Sequence, residues 1–231
     1  MTVLPEALAA LEQEIIACRA CPRLVAWREE VARVKRRAFR DQTYWGKSVP
    51  GFGDPNARIL ILGLAPGAHG SNRTGRMFTG DGSGDFLFPA LFRAGLASQP
   101  YALDQQDGMT LRDVFITAIC RCAPPANKPS PEEIRNCRPW LETELSFLQN
   151  LQGVVLLGKI AFDGWLDLPF CKGINKKNVV FGHNQLYEPG DGLPWMLWSY
   201  HPSLQNTQTG KLTVSMFDEI WQRAKRQLIN L

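Results

Sequence analysis

The sequence predicts a single α/β domain, a three-layer α/β/α arrangement around a central, mainly parallel, four-stranded sheet. Three observations predict it. Four short apolar runs, Arg58–Leu64, Val114–Ile119, Gly153–Leu157 and Trp195–Tyr200, each stop at turn residues, as buried strands do. Helical patterns lie between them, and strands alternating with helices form a parallel sheet covered on both faces. The 231 residues are 45% hydrophobic and 21% charged, enough for one sizeable core and far from the composition of a disordered chain.

The elements follow in order. Residues Leu4–Ala38 carry two apolar stripes at helical spacing, Leu8, Leu11, Ile15 and then Leu24, Val31, Val34. Cys18 and Pro22 mark a break, so two helices are expected to pack on the α/β core. The stretch Tyr44–Asn56 is rich in Gly and Pro and reads as irregular. Helical spacing returns in Phe86–Ala94 and Thr213–Leu228. Between these, Ser130, Pro131 and Glu133 form an N-cap, a first-turn proline and a capping-box partner, with Pro139 expected to end or kink the helix.

The longest apolar runs, Ile59–Ala65 and Val154–Leu157, are too short to cross a bilayer, so no membrane role is expected. No secretion signal is read at the start, which places the six cysteines in a reducing, cytoplasmic setting. The net charge is only +4, yet Arg19, Arg23, Arg28, Arg33, Lys35, Arg36, Arg37 and Arg40 crowd one segment against Glu29 and Glu30. Such a field suits a polyanion; a solvated helix face accounts for it equally simply.

In open α/β sheets, ligands sit beyond the carboxyl ends of the strands. Here the first strand runs into a loop over Gly63–Asp81, the second into Arg121–Lys128 and the last into His201-Pro202-Ser203. The topology is expected to bring the three together. The first loop has neither the Gly-Lys-Ser/Thr of a P-loop nor a G-x-G-x-x-G fingerprint. Its glycines allow close approach of backbone N–H groups to an anion, and Arg73 and Arg76 can neutralise phosphates. Cys18-x-x-Cys21 pairs with Cys122 and Cys137, a set that by spacing suits an iron–sulfur cluster, zinc, or no metal.

The loop Gly-Leu-Ala-Pro-Gly-Ala-His-Gly-Ser-Asn-Arg-Thr-Gly-Arg-Met-Phe-Thr-Gly-Asp, with His201-Pro202-Ser203, resembles the two signature motifs of the uracil-DNA glycosylase superfamily. The wording resembles in particular that of its type-b, or family-five, branch, found in bacteria and archaea. The resemblance extends through Cys18–Pro22, Arg121–Lys128 and Val155–Ala161. It implies a [4Fe-4S] cluster held by Cys18, Cys21, Cys122 and Cys137, structural rather than redox-active in the reaction. Cys120 and Cys171 match no ligand position and read as small buried residues.

A glycosylase must flip its nucleotide into a pocket, where an aromatic face can stack on the base. By resemblance that face is Phe78; a core aromatic is the plain alternative. Cleavage builds positive charge on the deoxyribose and negative charge on the leaving base, so a carboxylate near the sugar and donors at the base oxygens both help. The resemblance gives the donor role at the uracil O2 side to His201, with backbone support from Gly63, Ala65 and Gly67. Leu64 stands where other branches carry a polar residue; the nearest acids are Asp81 and Asp85, and by resemblance the carboxylate role falls to Asp81, for which helix capping is the rival account. Asn127, in a Pro-rich turn, can read the N3/O4 edge of a pyrimidine.

The expected protein is therefore a monofunctional glycosylase, since no lysine in the first loop offers an amine nucleophile. It is expected to act on uracil and other damaged bases in DNA, as a cytoplasmic, nucleoid-associated prokaryotic monomer. A non-catalytic Fe–S nucleic-acid-binding module would share the cysteines and basic segment without needing Asp81 or His201. A small-nucleotide hydrolase would have little use for the basic helices.

Overall fold

The computed structural model describes residues 6–190 and 192–229. In chain order the elements are α1 (Glu6–Ala17), α2 (Pro22–Val34), β1 (Phe52–Gly53), β2 (Ile59–Gly63), α3 (Ser71–Thr74), α4 (Gly84–Arg93), β3 (Val114–Ala118), α5 (Pro131–Phe147), β4 (Gly153–Leu157), α6 (Lys159–Leu166), β5 (Gln185–Tyr187), β6 (Trp195–Ser199), α7 (Leu204–Gln208) and α8 (Val214–Ile229). The four expected strands are all present, as β2, β3, β4 and β6, and they pair in parallel. The sheet has six strands rather than four, in the order β1-β3-β2-β4-β6-β5. The two additions are antiparallel edges, β1 on β3 and β5 on β6. Both are two or three residues long with no fully buried position, so they carry no apolar run to find.

Every residue of the four parallel strands is buried, and they alternate between two cores. Ile59, Ile61, Val114, Ile116, Val155, Leu157, Trp195 and Leu197 pack beneath α4 and α8. Leu60, Leu62, Phe115, Val154, Leu156, Met196 and Trp198 face the side covered by α1, α5 and α6. Two buried faces are why these strands read as continuous apolar runs.

Helix bounds depart from expectation in informative ways. Leu4 lies outside the described residues. The second helix stops at Val34, before Ala38, because Lys35 turns to φ +58°, and Val34 is 59% exposed rather than part of the stripe. Pro139 does not end α5, which continues to Phe147 because Cys137, Leu141 and Glu144 bury on the sheet side on both flanks of the proline. The capping box forms as expected: Ser130 Oγ accepts from the Glu133 N–H (3.2 Å) and Glu133 Oε2 from the Ser130 N–H (2.7 Å).

A buried polar network ties the irregular stretch to the sheet. Glu144 Oε2 accepts from Arg121 (2.6 Å) and from Thr117 Oγ1 (2.7 Å), and Arg121 also bonds Thr117. Glu144 Oε1 accepts from the Gly51 N–H (3.0 Å). A side-chain carbon at Gly51 would lie 2.3 Å from the Phe115 ring, so only glycine lets the chain pass there. Among the described residues no helix is long and apolar enough to cross a membrane.

Candidate active site

The three loops meet beyond the carboxyl ends of β2, β3 and β6. They enclose a cavity of about 290 Å³ lined by Leu64, Ala65, Gly67, Ser71, Met77, Phe78, Asp81, Ser83, Ala118, Asn127, His201 and Ser203. That is near the lower end of ordinary ligand pockets, a size suited to one heterocycle.

Backbone geometry sets the wall. A side-chain carbon at Gly63 would lie 2.9 Å from the Phe78 ring, so the glycine lets that ring lie against the end of β2. Phe78 itself sits at φ +54°, a left-handed conformation rare for an aromatic residue and typical of strain held at a functional site. Its ring belongs to the core beneath α4 and also lines the cavity. The His201 ring lies across from it, centroids 6.0 Å apart and planes at 28°. Ala65 and Gly67 line the cavity, and their N–H groups have no acceptor among the described residues.

Asp81 divides its carboxylate between two tasks. Oδ1 accepts from the N–H groups of Ser83 (3.0 Å) and Gly84 (3.2 Å), at the start of α4. Oδ2 makes no hydrogen bond among the described residues and lies over Gly67 and Gly70. Burial raises the Asp81 carboxyl above the ordinary aspartate value, against the pull of those two amides. Capping and a place in the pocket are therefore both realised. Asp85 is exposed and lines a separate open cleft with Phe39, Gln42 and Arg73.

His201 follows β6. Its ring nitrogens bond nothing among the described residues, and burial pushes its pKa down to about 4, so the imidazole is neutral at physiological pH and holds one N–H to donate. Its carbonyl accepts from Asn206 Nδ2 (2.8 Å), and Gly158, at φ +97°, leaves room for it where a side chain would come within 3.1 Å. Asn127 is exposed at the cavity rim, and it and Ala126 are both left-handed (φ +55° and +52°). Arg23 braces that turn by donating to the Lys128 carbonyl (3.2 Å) and to Glu133 (2.7 and 2.6 Å).

Of the arginines expected to meet phosphates, Arg76 is turned inward and Arg73 is half-buried at the open cleft. Arg76 is buried and forms a fork with Asp107 (2.8 and 2.6 Å), with Nε on Thr79 Oγ1 (3.0 Å). Arg73 ties its own loop together through the carbonyls of His69 (2.8 Å) and Gly80 (2.6 Å), reaches Gln42 (2.5 Å) and covers the Phe39 ring. In the basic segment, Arg19, Arg23 and Arg33 pair with Glu29, Glu133 and Glu30, and Arg28 is buried. Arg36, Arg37 and Arg40 are exposed without ion-pair partners among the described residues. Arg36 adjoins the pocket loop through Tyr44, whose hydroxyl accepts from the Arg36 N–H (3.4 Å) and bonds His69 Nδ1 (3.0 Å).

The cysteines gather beside this loop. Cys21 and Cys122 pack with Leu24, and Cys21 feels the charge of both Cys122 and Cys137. Burial pushes the Cys21 and Cys122 thiols up, while Ser48 and Arg28 pull Cys122 back. Arg28 donates to Cys122 Sγ (2.8 Å) and to the Cys18 carbonyl (3.0 Å), and the Arg121 N–H to Cys137 Sγ (3.3 Å). Among the described residues no group of three or more His, Cys, Asp or Glu is poised around one metal ion. The donor set still fits an iron–sulfur group: soft thiols, N–H donors aimed at sulfur, and a buried cation with no acid partner. The same Arg28 joins this region to the pocket, since its carbonyl accepts from Asn72 Nδ2 (3.2 Å) and the Asn72 N–H bonds the Gly67 carbonyl (3.0 Å).

Ser71, Ser83 and Met77 carry no distinguishing mark in the sequence, although all lie within or beside the glycine-rich loop. Nothing marks Arg28 in the sequence beyond its place in a basic run.

The sequence that builds this sheet and its pocket is matched by known proteins. The chain belongs to the uracil DNA glycosylase superfamily, whose family model, described as "Uracil DNA glycosylase superfamily", matches residues 50–225. Type-5 members of the superfamily are among the proteins it is similar to. The type-5 uracil-DNA glycosylase of Thermus thermophilus is 55% identical over 217 residues, covering 94% of this chain and 96% of that protein. That of Mycobacterium tuberculosis is 53% identical over 213 residues (92% and 78%), and that of Pyrobaculum aerophilum 42% over 210 (91% and 88%).

Proposed function

We propose that this protein is a monofunctional uracil-DNA glycosylase that hydrolyses the N-glycosidic bond of uracil, and of other deaminated or damaged bases, in base excision repair. The observation that carries the reading is the free Asp81 Oδ2 facing the same cavity as the neutral His201 ring and Asn127. A DNA-binding module without catalysis has no need of such a pocket.

A flipped base enters against Phe78, with its N3/O4 edge toward Asn127. As the C1′–N1 bond breaks, its electron pair goes to the base, and the charge developing on O2 is met by the His201 N–H and the free N–H groups of Ala65 and Gly67. Asp81 Oδ2 stabilises the cationic sugar, orients a water toward C1′ and takes its proton. The products are free uracil and an abasic site. Leu204, 54% exposed beside Gly82 and next to Ser203, offers an apolar side chain to the gap the flipped base leaves.

Cys18, Cys21, Cys122 and Cys137 would hold a [4Fe-4S] cluster. It would supply a covalent tie between the helical N-terminus and the pocket loops and no redox step. The protein acts on DNA as a monomer, in the cytoplasm of a prokaryote at its nucleoid. The test is cleavage of end-labelled oligonucleotides carrying one uracil, hypoxanthine or ethenocytosine, followed by alkali. Strand scission at uracil that requires the alkali step supports the reading, and an intact uracil strand refutes it.

A further inference from the structure

Of the arginines near the cysteines, Arg121 and Arg23 have acids and Arg28 does not. Arg121 is paired to Glu144, and Arg23 to Glu133. Arg28 is 1% exposed and no carboxylate reaches it among the described residues. Its helix neighbour Glu29 is taken by Arg19. The guanidinium donates instead to Ser48 Oγ (2.5 Å), Cys122 Sγ (2.8 Å) and the Cys18 carbonyl (3.0 Å), and its Nε has no partner. A buried cation without an anion is strongly unfavourable, and guanidinium cannot shed its proton. Protonated thiols do not supply the missing charge, whereas metal-bound thiolates do.

We propose that Arg28 is the buried counter-charge of the four-cysteine site, and that it sets the reduction potential and the retention of the group bound there. This rests on the iron–sulfur reading. A fixed positive charge and an N–H donor at a ligating sulfur favour the more negative, reduced cluster, so losing them makes the potential more negative.

The test uses holoprotein purified anaerobically as wild type, Arg28→Lys and Arg28→Gln. Iron per chain, the reduction potential from an EPR-monitored titration, and the rate of iron release to a chelator are measured. Arg28→Gln is expected to show a more negative potential and release faster by about 10- to 100-fold. Arg28→Lys keeps the charge and is expected to hold the potential while releasing iron faster. Wild-type potential and release in Arg28→Gln would overturn the proposal, as would equal potential shifts in both variants, which would mark a packing role. If Arg28→Gln does not fold, the Lys variant decides: a shifted potential there overturns the proposal. Iron-free wild-type protein would overturn the cluster reading itself before any variant is compared.

Discussion

A side-chain carbon at Gly70 would lie 1.9 Å from Asp81 Oδ2. The carboxylate oxygen that faces the pocket therefore occupies the space that glycine leaves open. The added carbon would also lie 2.6 and 2.8 Å from the carboxyl and β carbons of Asp81, so Gly70→Ala is expected to displace the whole side chain, loosening the cap and lowering single-turnover cleavage together. Wild-type cleavage rates in Gly70→Ala would show that the placing of Asp81 does not matter to the reaction.

Asp81→Asn removes the base but preserves an oxygen for the cap. Single-turnover cleavage is expected to fall by about 10²–10⁴-fold with DNA affinity nearly unchanged. His201→Ala is expected to cost about 10²-fold, and that penalty should shrink on a halogenated uracil, whose base leaves more easily. Wild-type rates for Asp81→Asn would leave Asp81 a cap alone.

The pH profile follows from the same two groups. Asp81 works as the anion, and its raised pKa means activity is lost as pH falls, starting at a higher pH than for an ordinary aspartate. His201, at about 4, stays neutral across the physiological range and adds no break near pH 6.5. Single-turnover rates from pH 5 to 9 should show one acidic limb, flattened in Asp81→Asn.

Stability has its own pH signal at Glu12, whose pKa is pushed up to about 7 by burial and by Glu144. The folded state holds this proton more tightly than the unfolded chain, so the penalty is absent below the ordinary value of 4.5 and complete above about 7. Glu12→Gln is expected to stabilise the protein at pH 8 by about 1–2 kcal/mol, after allowing for solvent screening, and to do nothing at pH 4. Denaturant melts at both pH values check it.

DNA affinity should fall with salt. The Arg36/Arg37/Arg40 triple alanine variant should lower the slope of log K against log salt by about 0.9 for each phosphate that is no longer neutralised. Arg76→Ala should act on folding instead, destabilising by about 3 kcal/mol because Asp107 loses its fork and keeps only backbone amides. Asp107, held at about 2, marks the strength of that pair: burial acts against its charge, but the Arg76 fork and the Met109 and Leu103 amides outweigh it.

The four parallel strands were legible because both their faces are buried, and the order of their loops told where the pocket would form. Strands β1 and β5 leave no such trace. Charge is legible but its partner is not: Arg76 looked free because Asp107 lies 31 residues away. Asp81 posed a choice between capping and chemistry, and only coordinates show that one oxygen caps α4 while the other is left without a partner among the described residues. The stripe through Val34 failed because a left-handed Lys35 ends the helix there.

The short edge strands have a consequence for how the molecule behaves in a crowd. A parallel sheet left open at its rims offers a row of unpaired N–H and C=O groups to any passing chain. Here each rim is closed by an antiparallel strand of two or three residues. On β1, Gly53 lies so near β3 that a side-chain carbon would meet the Val114 carbonyl at 2.3 Å. Strands that short give a neighbouring molecule too little ladder to extend, so the sheet terminates itself and resists edge-to-edge aggregation.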